Sequence, residues 1–189
     1  MQKIVTEITM SLDGFIAGPD ISKSDPMGKG GQRLHDWLFK NKTDTDDLLL
    51  KGITENSGAV IVGARTYVTA IDDAWDGESP FTVPAFVVCH KAPAKKVEGF
   101  TYVTEITNAL EQAKKTANKK NVWILGGASM IQQCLELKLL DELHIHIAPV
   151  LFTEGTPLFN FINKQHIELN KIKTVDTPAA THIYYEVKK

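Results

Sequence analysis

The chain has 189 residues, 43% of them hydrophobic and 23% charged, which is typical of one globular domain with its own core. Its 21 Lys and Arg against 23 Asp and Glu give a formal charge of -2, which argues against nucleic acid or an anionic membrane as a partner. No apolar run approaches the roughly 20 residues of a membrane span, and the N-terminal residues lack a signal-peptide pattern. We therefore expect a cytoplasmic protein with a small-molecule ligand.

The first part of the chain predicts a strand, a long loop and a short helix. Ile4–Leu12 alternates between apolar and polar residues until Asp13 and Gly14 break the pattern. The polar stretch Gly18–Gly31 is longer than an ordinary connection and is typical of a binding loop or lid. Arg33–Lys40 then places apolar residues at helical spacing.

The middle of the chain repeats a unit of strand, glycine turn and helix. The apolar run Ala59–Val62 predicts a strand buried on both faces, and Gly63–Thr66 ends this strand and starts a helix. A preceding helix is predicted over Asp46–Asn56, with three aliphatic side chains facing inward, Leu48, Leu49 and Ile53.

The remaining elements continue this alternation and end in a hairpin. They are the strand Val83–Cys89, the helix Ile106–Asn118, the strand Val122–Leu125, the helix Ala128–Leu137, the strand Glu142–Val150 and the strands Ile167–Val175 and Thr181–Val187. Strands that alternate with helices predict an α/β fold with helices on both faces of a mostly parallel sheet, made mixed by the antiparallel hairpin. We expect one domain over residues 1–189.

Two glycine turns are the strongest indication of a ligand. In Val60–Thr66 and Trp123–Ser129 an apolar strand ends in glycine and a helix begins at once. Unpaired N–H groups at a helix start bind phosphate, and glycine lets the phosphate approach. Each turn taken alone is better explained by steric packing of strand against helix, but two turns in one sheet suit a diphosphate. Arg65 adds a bidentate phosphate donor and Thr66 a cap or phosphate contact.

Two further patterns are weaker. Cys89, His90 and Lys91 follow a strand and offer cations for another ligand group, although a lysine at a strand end also serves solubility. His144 and His146 lie on one face of a strand at a spacing that zinc sites use. No third ligand is in view, so we predict no metal site.

The motifs together resemble a known family. Met10–Pro19 (MSLDGFIAGP), the GG and LHDW of Gly30–Trp37, the two glycine turns, and Leu140–Leu151 (LDELHIHIAPVL) are similar to dihydrofolate reductase-like proteins. These are related to the reductase domain of bacterial riboflavin biosynthesis deaminase-reductase proteins. The resemblance covers nearly the whole chain. It implies a three-layer αβα dihydrofolate reductase-like fold, NADPH as cofactor, and a homodimer.

The resemblance also implies roles for individual residues in NADPH binding. Ala17 and Gly18 look like the backbone that holds the nicotinamide carboxamide. Gly63, Arg65 and Thr66 would form the first phosphate turn. The 2′-phosphate would lie beside Cys89, His90 and Lys91. The second phosphate turn would consist of Gly126, Gly127, Ala128, Ser129 and Met130.

The substrate side is less specific. We predict Asp13 as the polar residue nearest the nicotinamide, acting through water or by orienting substrate; the alternative is that it caps the turn before Gly14. His35 and Trp37 are predicted to line the substrate pocket, together with Phe152, although a tryptophan at helical spacing is also typical of a core. Dihydrofolate reductases carry an acidic residue on the first helix, for which Asp36 is the nearest candidate here.

The leading hypothesis is an NADPH-dependent oxidoreductase that transfers a hydride to a small heterocyclic or carbonyl substrate. One candidate activity is that of a 5-amino-6-(5-phosphoribosylamino)uracil reductase. The zinc deaminase signatures H-x-E and P-C-x-x-C are absent from the chain, so only the reductase activity is expected. Two alternatives remain open: a non-catalytic dimer that binds NADPH or a flavin nucleotide, and a dihydrofolate reductase proper.

Overall fold

The computed structural model of the protein describes residues 1–160 and 166–189, and these ranges contain ten strands and five α-helices. The strands are β1 (Ile4–Ser11), β2 (Phe15–Ala17), β3 (Ser57–Gly63), β4 (Ala85–Val88), β5 (Phe100–Val103), β6 (Asn121–Gly126), β7 (Glu142–Ala148), β8 (Thr156–Pro157), β9 (Leu169–Thr177) and β10 (Ala180–Val187). The helices are α1 (Asp36–Phe39), α2 (Asp44–Asn56), α3 (Ala64–Ala70), α4 (Ile106–Thr116) and α5 (Ala128–Glu136), and a 3-10 helix over Gly31–His35 precedes α1.

Eight strands form one sheet in the order β5-β4-β3-β6-β1-β7-β10-β9. The first six of these run parallel, and the final hairpin is antiparallel, with β10 paired to β7 and β9 paired only to β10. The predicted mixed, mostly parallel sheet with a C-terminal hairpin is therefore confirmed. The two remaining strands, β2 and β8, form a separate antiparallel pair.

Helices cover both faces of the sheet because its strands are apolar on both sides. On one face, Ile61 and Ile124 pack with side chains of α4 and α5. On the other, Val60 and Val62 pack with Tyr67 of α3. All seven residues of β3 are buried, as predicted for its apolar core. The three-layer αβα arrangement follows from this double burial.

The inward face of α2 differs from the prediction. Leu48 was expected inside but is 68% exposed, while Asp46 is fully buried. The helix begins at Asp44, with Thr43 as N-cap in a reciprocal capping box with Asp46. The inward stripe therefore runs through Asp46 and Ile53, and Leu48 falls outside it.

Three short strands were not predicted from the sequence. β2 and β8 have three and two residues, and β5 has four, so none is long enough to show a hydrophobic period. Both cysteines, Cys89 and Cys134, are buried free thiols. Among the described helices, none combines the length and the apolar character that a membrane span requires.

Gly52 provides a test of the α2 assignment. It lies inside the helix, and no heavy atom lies within 4 Å of the place where a Cβ would stand. Gly52→Ala should raise the free energy of unfolding by about 0.5–1 kcal/mol, because alanine loses less backbone entropy in a helix. Urea denaturation measures the change. Gly58→Ala is the contrasting variant: its Cβ would lie 2.0 Å from the Ala117 carbonyl oxygen, and it should destabilise the protein.

Candidate functional site

A cleft of about 990 Å³ lies at the carboxyl ends of the parallel strands. Its walls include the two glycine turns, the start of α4, part of the loop after β2, and side chains of β1 and β7. Ligands of open α/β sheets bind at this position, where strands end and helices begin. We call the part around the glycine turns the turn region, and the part around Glu7, Thr9, Trp37 and His146 the inner pocket.

The two glycine turns are in direct contact. A Cβ on Gly63 would lie 2.8 Å from Met130 Cγ and 3.2 Å from the Gly126 carbonyl oxygen. A Cβ on Gly127 would come no closer than 3.5 Å to any heavy atom, the nearest being Thr66 Oγ1. The Gly126-Gly127 peptide bond is cis. Neither α3 nor α5 has a side-chain cap at its start, so their first N–H groups are available to a ligand.

The cleft brings together most of the predicted site residues. It is lined by Ala17, His35, Trp37, Gly63, Arg65, Thr66, Cys89, His90, Gly127, Ala128, Ser129 and Met130. Five predicted residues do not line it: Asp13, Gly18, Lys91, Gly126 and Phe152. The cofactor and substrate roles of the lining residues stay predictions.

Contacts within its own loop explain why residue 18 is a glycine. A Cβ there would lie 2.0 Å from the Lys29 carbonyl oxygen, and the Gly18 N–H donates to the Met27 carbonyl oxygen at 2.9 Å. This glycine allows the loop to close on itself. Met27 itself lines the cleft, together with Ile21 and Pro26 of the same loop.

Asp13 organises a turn outside the cleft. Its carboxylate accepts the N–H groups of Phe152, at 3.1 Å, and Thr153, at 2.7 Å, and the hydroxyl of Ser11. The Ser11 hydroxyl, followed by these backbone N–H groups, holds the pKa of the Asp13 carboxyl below its usual value. Asp13 therefore caps the segment at Phe152 and Thr153 and not the turn before Gly14, and Phe152 is held beside it, outside the cleft. The role predicted for Asp13 beside the nicotinamide stays a prediction.

Trp37 is both a core residue and a wall of the inner pocket. Only 2% of its surface is exposed, and its Nε1 donates to Thr9 Oγ1 at 3.1 Å. Its ring lies 4.5 Å from the ring of His146 and 4.9 Å from that of His182, centroid to centroid. The interpretation of Trp37 as a core residue and its interpretation as a residue that lines the pocket are therefore compatible.

Sequence reasoning missed a buried polar chain beside Trp37. His146 Nε2 lies 2.9 Å from Glu7 Oε1, and His146 Nδ1 lies 2.7 Å from His182 Nδ1. His182 Nε2 then lies 3.1 Å from Asp46 Oδ1. The residues come from β1, β7, β10 and α2, and strand register places His146 opposite both Thr9 and His182. The His144 and His146 spacing was visible in the sequence, but their partners were not.

The polar chain has defined protonation preferences. Burial alone would raise the pKa of the Glu7 carboxyl, but His144 and His146 outweigh burial and hold this pKa below its usual value. Burial lowers the pKa of His182 and that of His35, whose Nδ1 has no hydrogen-bond partner. Within residues 1–160 and 166–189, no group of three or more His, Cys, Asp or Glu side chains is arranged to hold a metal ion.

Acid should destabilise the fold through these buried histidines. The folded pKa values of His182 and His35 lie below the usual histidine value of about 6.5, so the unfolded chain binds protons that the folded chain does not. The free energy of unfolding is therefore at its full value above pH 6.5 and falls as pH drops through the folded pKa values. Each histidine contributes a slope of up to about 1.4 kcal/mol per pH unit.

Urea denaturation at a series of pH values measures this slope. His35→Gln removes one of the two contributions without breaking a side-chain hydrogen bond of Nδ1, and it should make the slope shallower. A slope identical to that of the wild type would contradict the assignment for His35.

The chain is similar to proteins of one family along almost its whole length. The RibD C-terminal domain family matches residues 2–181. The uncharacterized protein YyaP of Bacillus subtilis (strain 168) is 41% identical over 188 residues, covering 92% of this chain and 88% of YyaP.

Solved structures show the same fold. A Shewanella sp. PV-4 protein named for riboflavin biosynthesis superposes with a TM-score of 0.75 at 25% identity and full coverage of both chains. Dihydrofolate reductase from Enterococcus faecalis, complexed with NADP(H), gives a TM-score of 0.64 at 16% identity over 99% of this chain and 97% of that one. The predicted dihydrofolate reductase-like fold is confirmed.

Proposed function

This chain belongs to the RibD C-terminal domain family, a family of reductase domains, and from that premise we propose that it is an NADPH-dependent reductase. Its cleft would hold the cofactor in the turn region and a small heterocyclic or carbonyl substrate in the inner pocket. The observation that carries the proposal is the contact between the two glycine turns, with free helix N–H groups on both. A diphosphate is the ligand that such a pair of turns fits best.

The turn region has the donors that a dinucleotide needs. Thr66 and Ser129 line the cleft beside the open helix starts, and α5 offers the longer helix with its dipole directed at the ligand. Arg65 and His90 also line the cleft, and these side chains suit the 2′-phosphate that distinguishes NADPH from NADH. Lys91 is exposed and does not line the cleft, so it is a weaker candidate than Arg65.

The inner pocket would hold the reacting part of the substrate. Bound NADPH supplies the hydride. The chain's own contribution is to orient the acceptor and to exclude water, and Ile8, Ile16 and Trp37 provide apolar walls for this purpose. Loop residues Ile21 and Met27 extend the same apolar lining, which supports a lid role for the loop.

Dihydrofolate reduction is the weaker assignment. Asp36, the nearest match to the acidic helix residue of those enzymes, does not line the cleft and forms ion pairs with Arg33 and Lys40. A ribosylamino pyrimidine, such as 5-amino-6-(5-phosphoribosylamino)uracil, remains the first candidate substrate. The buried carboxylate and histidines of the inner pocket favour turnover over mere nucleotide binding, because they place acid-base groups beside the acceptor.

Gly127 tests the cofactor proposal. Its φ of -82° is compatible with any residue, and its Cβ would meet nothing closer than 3.5 Å, so Gly127→Ala should leave the fold intact. The added methyl group enters the space between the two turns, and we expect NADPH affinity to fall at least about tenfold, which corresponds to about 1.4 kcal/mol.

The measurement is a fluorescence titration with NADPH and NADH, followed by NADPH oxidation with the ribosylamino pyrimidine, dihydrofolate and a quinone as acceptors. Gly52→Ala on α2 is the matched control and should bind NADPH as the wild type does. Retained affinity in Gly127→Ala would remove this turn from the site. NADPH binding without oxidation by any acceptor would favour the non-catalytic alternative.

We also propose that the chain forms a homodimer in the cytoplasm. Leu12 is 63% exposed and Leu151 is 62% exposed, and the Leu12 N–H donates to the adjacent Val150 carbonyl oxygen, so the two side chains follow neighbouring strands. Contiguous exposed apolar surface marks protein contacts, and these two side chains contribute to such a surface at one end of the sheet.

Leu151→Lys should shift the protein from dimer to monomer, because it places a charge in the proposed contact. Sedimentation velocity measures the change. Leu48→Lys is the matched control, since Leu48 is equally exposed but lies on α2. A monomeric wild type would overturn the proposal.

A further inference from the structure

We propose that Glu7 delivers a proton to the substrate, and that the proton reaches Glu7 from solvent through His144 and a second cavity on the same face of the sheet. This inference rests on the proposed function, since it assigns the proton that must accompany hydride transfer. It names a catalytic group on β1, where none was predicted.

The second cavity meets the cleft at Glu7. It has a volume of about 260 Å³ and is lined by polar side chains that include Glu142, His144 and Lys173. Glu7 and Ile53 are the two residues that line both cavities in the described part of the chain. Ile53 is aliphatic, so Glu7 is the group through which a proton can pass from one cavity to the other.

One branch of the polar chain leads outward from Glu7. His144 Nδ1 lies 3.8 Å from Glu7 Oε2 and has no hydrogen-bond partner of its own. His144 Nε2 lies 2.9 Å from Glu142 Oε2, and Glu142 Oε1 accepts a hydrogen bond from Lys3. Side-chain exposure rises along this branch, from 6% at Glu7 to 12% at His144, 15% at Glu142 and 47% at Lys3. The branch therefore ends in solvent.

The other branch stays buried for three residues before it reaches the half-buried Thr43 and Thr177. His146, His182 and Asp46 continue from Glu7 Oε1, and their side chains are 2% exposed or less. Thr43 and Thr177 close its far end, through hydrogen bonds to Asp46 and His182. This branch holds Glu7 Oε1 in place and leaves Oε2 for His144 and the substrate. His146, His182 and Asp46 are thus positioning residues.

The groups around Glu7 favour its ionised form, so that Glu7 is protonated only briefly while it transfers a proton. The titratable side chains that contact it or interact with its charge are His144 and His146 from β7 and His182 and Tyr184 from β10. His35 of the 3-10 helix and Asp46 of α2 lie one step further away and interact with His146 and His182, respectively. His144 and His146 keep the pKa of the Glu7 carboxyl low, so Glu7 is ionised at rest. A proton that arrives from His144 is held weakly and is readily given to a more basic atom.

The reaction balances with these groups. Hydride forms a new C–H bond at the carbon of a C=N or C=O bond, and the π-electron pair of that bond moves to the nitrogen or oxygen. This atom forms a bond to the proton on Glu7 Oε2, and the O–H electron pair returns to the carboxylate. Glu7 takes this proton from Nδ1 of the His144 imidazolium, which becomes neutral, and hydronium in the second cavity returns a proton to His144, so Glu7 ends as the carboxylate that it is at rest. The substrate class is an imine or carbonyl whose heteroatom reaches Glu7.

Three variants test the inference. Glu7→Gln keeps the size of the side chain and removes its acid-base function, His144→Asn interrupts the outward branch, and Glu111→Gln on the exposed side of α4 is the matched control. Each is measured for NADPH affinity, for the rate of NADPH oxidation with 5-amino-6-(5-phosphoribosylamino)uracil, and for exchange with water of the hydrogen between His146 Nδ1 and His182 Nδ1. Nitrogen-15 NMR of labelled histidines measures this exchange without turnover.

We expect NADPH affinity within about twofold of wild type in all three variants, which also shows that they fold. Glu7→Gln should lower kcat about 100-fold, and His144→Asn should lower it about tenfold. Added imidazole should partly restore the kcat of His144→Asn, because it can replace the missing ring. Both variants should slow the hydrogen exchange about tenfold, because the proposed path of this hydrogen to solvent runs through Glu7 and His144. Glu111→Gln should leave the exchange unchanged.

The experiment distinguishes failure of the proton path from failure of the reductase proposal. If the wild type binds and oxidises NADPH but Glu7→Gln keeps its kcat, or if neither variant slows the exchange, the proton path is overturned and the reductase proposal stands. If the wild type does not bind NADPH, the reductase proposal and the delivery step that rests on it are both overturned.

Discussion

The burial of one carboxylate, that of Glu7, accounts for much of the structure around the cleft. An ionised carboxylate inside a protein is costly unless charged or polar partners surround it, and Glu7 has His144 and His146 on the neighbouring strand. His146 in turn requires His182, and His182 requires Asp46. Each partner satisfies the one before it, so the chain of contacts ties β1, β7, β10 and α2 together.

This requirement explains why α2 begins as it does. Asp46 can face the sheet only if the helix starts early enough to turn its third residue inward, and the Thr43 capping box holds that start in place. Asp46 Oδ2 accepts hydrogen bonds from Thr43, while Oδ1 has no hydrogen-bond partner and lies 3.1 Å from His182 Nε2. Trp37 closes the same region from above, because its ring packs on both His146 and His182.

The cleft combines two kinds of surface with different origins. The turn region is built from backbone: glycines, helix starts and a close contact between two loops, which together accept an anionic group. The inner pocket is built from side chains that the sheet register brings together. The match to the RibD C-terminal domain family covers residues 2–181, which include the turn region and the inner-pocket residues Glu7, Thr9, Trp37 and His146.

The sequence by itself determined the fold class and the turn region. Apolar strands that end in glycine before a helix, as in Val60–Thr66 and Trp123–Ser129, are local patterns, and their consequence for strand, turn and helix is local too. Alternation in β1 and the separated final strands likewise sufficed for the mixed sheet. The predictions that did not hold, such as an inward Leu48, concern which face of an element is covered.

Only the tertiary structure decided the inner pocket and the purpose of the loops. Glu7 and His182 lie 175 residues apart in the sequence, and their link through His146 depends on the order of β1, β7 and β10 and on their register. Asp13 was predicted beside the nicotinamide from its residue type, and the family resemblance implied Gly18 as a cofactor contact. The fold gives both a further role that the sequence did not show, because Asp13 accepts a hydrogen bond from Thr153 and Gly18 leaves room for the Lys29 carbonyl oxygen. The residue type limits the roles that a side chain can have, and the contacts made across the fold decide which of those roles it takes.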